Sequence, residues 1–162
     1  MIYHGDFRDF DIKADVVITE PLYLRDLEDK ITKKKYRKYD EYIEEILSHL
    51  DAPVICVFQP DWREIPDVFK EWTVSTVYTG GNKDYLLSNT GEPGCYRGPG
   101  AGRNPRPYEI MRPVVETFSR PGDTVYDPFM GYGSTGLACK GRNFIGIERR
   151  KDFFDLCERH SL

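Results

Sequence analysis

The stretch from Asp123 to Glu148 leaves this 162-residue chain few options. Pro121-Gly122 makes a turn into Thr124-Val125-Tyr126, β-branched and aromatic residues that suit a short strand. That strand runs into glycines at 131, 133 and 136. Leu137 to Lys140 then suit a helix, which Gly141 stops. A second strand, Phe144 to Ile147, ends on an acid, Glu148. Strand, glycine turn, helix, strand and acid is the layout of a nucleotide-type cofactor site. Glycines let the backbone approach the ligand, N–H groups at a helix start face an anionic group, and the acid takes ribose hydroxyls.

Read literally, Gly131-x-Gly133-x-x-Gly136 is the dinucleotide fingerprint, and a NAD-linked fold stays open on that pattern alone. Glycine turns between strand and helix also occur with no ligand. Two neighbours narrow the choice. Asp127-Pro128-Phe129 stands where an NAD fold wants an apolar strand end. Only 26 residues follow Gly136, short of the roughly 30 that one crossover unit needs. The remaining strands must therefore lie upstream.

The upstream sequence supplies them. Ile2 to His4 is a minimal strand ending in Gly5-Asp6, and Val16 to Thr19 is a continuous apolar strand ending in Glu20-Pro21-Leu22-Tyr23. Tyr39, Ile43, Ile46, Leu47 and Leu50 form one helical stripe, with the tyrosine serving packing. Further strands are predicted at Val54–Phe58, Thr73–Tyr78 and Tyr85–Ser88, with a short helical connection over 64–71. Residues 89–107, dense in Gly and Pro, read as free of regular structure. Tyr108 to Ser119 returns to helical period, with Pro107 suited to its first turn and Pro113 implying a kink or a later start. Lys151 to His160 makes a last helix. In open α/β sheets ligands bind at the carboxyl ends of strands, which places Asp6 and Glu20–Tyr23 where chemistry occurs.

Composition bounds the rest. The length suits one domain with one core. No apolar run approaches the roughly 20 residues of a membrane span, and the N-terminus does not read as a signal peptide. Four separated cysteines and three histidines lack metal-ligand spacing, so buried thiols, no metal and a cytoplasmic location are expected. Net charge is −4, yet Lys30–Lys38 is a basic run, and Arg97, Arg103, Arg106 and Arg112 form a second cluster. Such runs are commonly solvated surface, but phosphate contacts need only a local positive face.

Gly122-Asp-Thr-Val-Tyr-Asp-Pro-Phe-Met-Gly-Tyr-Gly-Ser-Thr-Gly136, followed by Gly-Arg-Asn-Phe-Ile-Gly-Ile-Glu148, resembles the cofactor half of the DNA amino-methyltransferases. These enzymes use S-adenosylmethionine to methylate the exocyclic amine of adenine or cytosine, often within restriction-modification systems. The resemblance extends along nearly the whole chain in the circularly permuted, β-type order. It implies a Rossmann-like, seven-stranded α/β methyltransferase sheet, mostly parallel with one antiparallel strand. Residues 1–88 would be a catalytic half and 105–162 a cofactor half. A short loop at 89–104 would replace the usual target-recognition region.

By the same resemblance Asp127, Phe129, Gly131, Gly133, Ser134 and Thr135 would line the cofactor. Glu148 would take the ribose hydroxyls, Asp6 the adenine amine, and Arg106 the methionine carboxylate. Glu20 and Pro21 would hold the target amine, and Tyr23 would stack on a flipped-out base. The family tetrapeptide is Asp (or Asn, Ser)-Pro-Pro-aromatic, and this chain departs from it at Glu20 and Leu22. The partner implied is DNA, met by the 30–38 run and by Arg97 and Arg103, with a homo-oligomer or partner subunit left open. Adenine is favoured over cytosine because Tyr23 closes the tetrapeptide. The alternative is a weakened or inactive cofactor-binding relative acting as a DNA- or protein-binding module.

Overall fold

The computed structural model describes residues 1–21, 28–29, 33–61, 63–98 and 107–160. Eight strands form one sheet: β1 (Ile2–His4), β2 (Val16–Thr19), β3 (Val54–Pro60), β4 (Thr73–Thr79), β5 (Asn82–Ser88), β6 (Cys95–Gly98), β7 (Thr124–Asp127) and β8 (Asn143–Glu148). Their order is β1-β8-β7-β2-β3-β5-β4-β6. Only β5 runs against its neighbours, pairing antiparallel with β3 and β4. β1, β8, β7, β2 and β3 are mutually parallel, and β6 lies parallel to β4.

The interior position of β2 follows from its composition. All four residues of Val16–Thr19 are buried, as a parallel strand covered on both faces requires. Helix α1 (Tyr39–Ser48) covers one face, burying Tyr39, Tyr42, Ile43 and Ile46 beside Val17, Val57 and Leu87. Helix α2 (Tyr108–Phe118) covers the other, burying Ile110, Met111, Val114 and Val115 beside Val16, Ile18 and Phe58. Helix α3 (Ser134–Ala138) lies on the α2 side, where Ala138 joins that second core, and α4 (Lys151–Arg159) packs near β1 and β8.

The chain leaves β7 through α3 and leaves β2 towards α1, so the two connections depart to opposite faces of the sheet. Between the carboxyl ends of two such adjacent strands a crevice opens, the place where doubly wound sheets bind ligands.

Several boundaries differ from those read in sequence. The sheet holds the seven expected strands and an eighth, β6, inside the stretch taken to lack regular structure. It exists because Thr76 N–H reaches the Gly94 carbonyl at 3.0 Å and Gly94 N–H reaches Ser75 Oγ at 2.9 Å, docking an edge strand on β4. Helix α3 begins at Ser134, not Leu137, because Gly133 caps it at φ 78°, a conformation that favours glycine, and so places Gly136 inside the helix. The helical connection shrinks to a 3₁₀ turn at Asp67–Phe69. Helix α2 starts directly after Pro107 and runs on through Pro113.

Candidate active site

The crevice holds a cavity of about 270 Å³ whose wall is drawn from both ends of the chain. Thr19, Glu20 and Pro21, at the carboxyl end of β2, line it together with Asp127, Phe129, Gly131, Ser134 and Thr135 from the end of β7 and its glycine turn. Glu148 closes the β8 side. Eight of the expected site residues thus meet around one space, although Glu20 and Glu148 are 128 positions apart in sequence.

Asp127 is the buried centre of the β7 side, only 3 % exposed. Thr135 Oγ1 donates to its Oδ2 at 2.6 Å, while Thr19 Oγ1 and the Phe129 amide donate to its Oδ1 at 3.0 and 3.1 Å. Burial pushes its carboxyl up to about 6 against these three hydrogen bonds, and the charge of Glu20 adds to the rise.

Glu148 is held by the main chain. Gly131 N–H donates to its Oε2 at 2.8 Å and Arg150 N–H to its Oε1 at 2.6 Å. Gly131 can offer that amide because it sits at φ 54°, a left-handed conformation that costs glycine little. Each carboxylate oxygen retains acceptor capacity, since an ionised carboxylate has about four lone-pair sites. An acid fixed in this way can accept from a pair of vicinal hydroxyls.

The remaining expected residues have other surroundings. Gly133 caps α3 and is absent from the cavity wall. Helix α3 is a single turn of five residues, so main-chain and side-chain donors of the turn, not a helix dipole, define this side. Asp6 lies outside the cavity wall; it caps the 3₁₀ turn Phe7–Asp9 and pairs with Arg8 at 2.8 Å. Its other oxygen is 3.5 Å from Arg149, which does line the cavity. Tyr23, Arg103 and Arg106 lie outside the described residues. Arg97 is exposed on β6, its guanidinium 4.3 Å above the Tyr78 ring. In the basic run, Lys34 pairs with Glu45 and Arg37 with Glu41, while Lys33, Lys35 and Lys38 are exposed.

Other wall residues escaped the sequence reading. Tyr132 and Phe153 lie against each other with ring centroids 4.3 Å apart and planes tilted by 38°, and the Arg150 guanidinium sits 3.8 Å from the Phe153 centroid, giving an aromatic and cationic wall. Phe58 and Met111 add apolar surface from β3 and α2. Arg149 and Arg150 were findable, since they directly follow the strand-ending acid. Phe153, Phe58 and Met111 arrive only through packing.

With this geometry in place, comparison with known proteins gives the family. A family model described as DNA methylase, of the N6/N4 type, matches residues 59–159, more than half of the chain, and the chain belongs to that family. Among curated relatives, Type II methyltransferase M.HinfI of Haemophilus influenzae is 43% identical over 56 residues, 33% of this chain and 16% of that protein. Type II methyltransferase M.Cfr9I of Citrobacter freundii is 38% identical over 52 residues, 31% of this chain and 17% of its own length. The matched region is thus about a sixth of either relative.

Solved structures share the fold over nearly all of the chain. The M1.HpyAVI–SAM complex superposes with a TM-score of 0.71 at 22% identity, covering 99% of this chain and 98% of that one. The TTHA0409 protein of Thermus thermophilus, complexed with S-adenosyl-L-methionine, gives 0.68 at 19% identity over 98% and 91%. The cytosine-N4-specific PvuII DNA methyltransferase gives 0.72 at 14% identity over 99% and 86%.

Proposed function

We propose that this protein transfers a methyl group from S-adenosylmethionine to the exocyclic amine of a DNA base, adenine in preference to cytosine. The observation that carries the reading is the shared cavity: Glu20 and Pro21, from the first strands, line the same space as Phe129, Gly131 and Glu148 from the last. The 1–88 half supplies the grip on the target amine, and the 105–162 half supplies the cofactor wall.

The residues present fit the cofactor. Glu148, held by two amides, accepts the ribose hydroxyls, and the Tyr132–Phe153 wall offers a face to a purine ring. Phe129 and the Gly131 turn would contact the rest of the ligand, with Ser134 and Thr135 lining the cavity beside them. Gly133 contributes by shaping that turn. Asp127, its carboxylate engaged by Thr19, Thr135 and the Phe129 amide, supports the turn and would face the ligand ammonium. Asp6 acts through Arg149, and Arg106 takes the ligand carboxylate. When bound, the cofactor supplies an electrophilic methyl on a sulfonium.

Glu20 and the Pro21 carbonyl are acceptors for the two N–H bonds of a base amine. Holding both turns the nitrogen lone pair out of the ring system and towards the cofactor wall, so the contribution is positioning and electrostatics. Accepting the methyl that the cofactor would supply leaves this nitrogen cationic, and Glu20 would take the proton it sheds. Tyr23 stacks on the extruded base.

The test is incubation with methyl-labelled S-adenosylmethionine and mixed-sequence DNA, followed by digestion and identification of the labelled nucleoside. Label on N6-methyladenine is expected. Label on cytosine alone would reverse the base preference. Tight cofactor binding without transfer would favour the second reading, a cofactor-holding relative silenced by its tetrapeptide. That reading rests on Glu20, whose carboxylate reaches about one bond further than an aspartate, enough to cost on the order of 100-fold in rate. In that case Glu20→Asp with Leu22→Pro should restore turnover.

A further inference from the structure

A buried ion pair joins the cavity wall to the segment that follows the tetrapeptide. Arg149 lines the cavity, and its Nη1 donates to Asp29 Oδ2 at 2.6 Å. Asp29 is 1 % exposed. A second guanidinium, that of Arg8, lies 3.9 Å from the same carboxylate.

The chain folds back on itself at Asp29. Its N–H donates to the Lys34 carbonyl at 2.9 Å, its carbonyl accepts from Lys33 N–H at 2.7 Å, and Glu28 bridges Lys35 in antiparallel register. Lys33 holds φ 61°, a left-handed position at the turn. The far side of this hairpin is also fastened by polar contacts. The Tyr36 hydroxyl donates to Glu45 at 2.6 Å, and Arg8 donates to both Tyr36 and Glu45. Charge pairing therefore sets the position of residues 28–29 and 33–35, and the pair nearest the cavity is Arg149–Asp29.

We infer that Arg149 is a positioning residue whose clamp on Asp29 couples cofactor occupancy to DNA engagement by Lys33 and Lys35. The inference rests on the cofactor reading above. A ligand against the wall restricts Arg149, Arg149 fixes Asp29, and Asp29 fixes a hairpin that carries the exposed Lys33 and Lys35. The ligand class at the hairpin is the DNA phosphodiester backbone, read by ammonium groups without base specificity. Coupling between sites is reciprocal, so DNA on the hairpin tightens cofactor binding by the same factor.

The test compares the full chain with its Asp29→Asn variant. Hydrogen exchange over 28–36 should slow when S-adenosylmethionine is added to the wild type. In Asp29→Asn it should run about tenfold faster and be insensitive to cofactor. The Michaelis constant for DNA should rise by about tenfold, with the cofactor dissociation constant in the absence of DNA changing less than about threefold. Arg149→Gln should copy this DNA effect, Arg149→Lys should recover part of it, and the double variant should be no worse than Arg149→Gln. Should Asp29→Asn fail to fold, the wild-type exchange measurement and the Arg149→Lys comparison decide alone. Cofactor binding that leaves exchange over 28–36 unchanged overturns the coupling while sparing the cofactor reading. No cofactor binding by calorimetry overturns both.

Discussion

Thr19 Oγ1 donates a 3.0 Å hydrogen bond to Asp127 Oδ1, joining the carboxyl ends of β2 and β7 across 108 positions of sequence. The bond fastens the strand that ends in Glu20 to the strand that opens the glycine turn. Because Asp127 is buried, its three donors come from β2, from the turn and from α3, and each fixes one piece of the site against the others.

Removing one donor leaves a buried carboxylate short of a partner, which costs more than the net value of an ordinary hydrogen bond. Thr135→Val, at the 2.6 Å contact, should destabilise the protein by about 1–3 kcal/mol, and Thr19→Val by about 1 kcal/mol, in urea unfolding. Thr135→Val should also weaken cofactor binding, because Thr135 anchors the first turn of α3 beside the cavity.

Asp127 also sets a pH dependence. Its carboxyl is raised from 3.8 to about 6, so between those values the folded protein keeps a proton that the unfolded chain releases. The stability this group contributes is therefore full below about 3.8 and is lost as pH rises through about 6. The change is on the order of 3 kcal/mol. Glu45 works in the opposite sense. Against the desolvation that would raise it, hydrogen bonds from Lys34, Tyr36 and Arg8 hold it at about 2, so its contribution is present above about 4.5 and lost as pH falls towards 2. Urea unfolding from about pH 4 to 7 isolates the first effect: the stability of the wild type relative to Asp127→Asn should fall steadily across that range.

The parts of the site that sequence discloses are those fixed by local chemistry. Asp127, the glycines and Glu148 lie within one strand–turn–strand unit, and Glu20 is placed by the rule that ligands gather at strand ends. The Tyr132–Phe153 wall was not legible, since it depends on where α4 docks against the glycine turn; Cys157 Sγ fastens that docking with a 3.3 Å bond to the Gly131 carbonyl. Strand β6 was hidden for a related reason. Its four residues have no strand pattern of their own and become a strand by lying along the open edge of β4. Asp6 shows the limit of the strand-end rule, because its carboxylate is taken by Arg8 while Arg149 faces the cavity.

Glu148→Gln tests the proposed ribose-binding role of the acid that closes the β8 side of the cavity. Both of its oxygens accept main-chain N–H bonds, and a glutamine must turn its NH₂ towards one of those donors. The Gly131 turn should loosen, and the remaining carbonyl should be spent on one amide instead of on ribose. Calorimetry with S-adenosylmethionine should show at least about a tenfold weaker dissociation constant, equivalent to about 1.4 kcal/mol. An unchanged constant would remove Glu148 from the cofactor site.

Glu20 should separate binding from chemistry. It lines the cavity at the end of β2, opposite the Glu148 side, so its replacement leaves the aromatic wall and the glycine turn in place. Glu20→Gln keeps an acceptor of the same reach but removes the charge that, on the proposed reading, stabilises the nitrogen as it becomes cationic. Electrostatic stabilisers of this kind contribute on the order of 100- to 1000-fold to turnover, so kcat should fall by about that factor while cofactor affinity changes by less than about threefold. Glu20→Ala removes the acceptor as well and should fall further, since the proposed grip on the amine would then rest on the Pro21 carbonyl. Glu20→Asp shortens the reach without removing charge, and its rate reports whether the carboxylate stands at the distance the amine requires. Equal kcat in wild type and Glu20→Ala, measured under single-turnover conditions with saturating DNA, would sink the assignment of Glu20 to the transfer step.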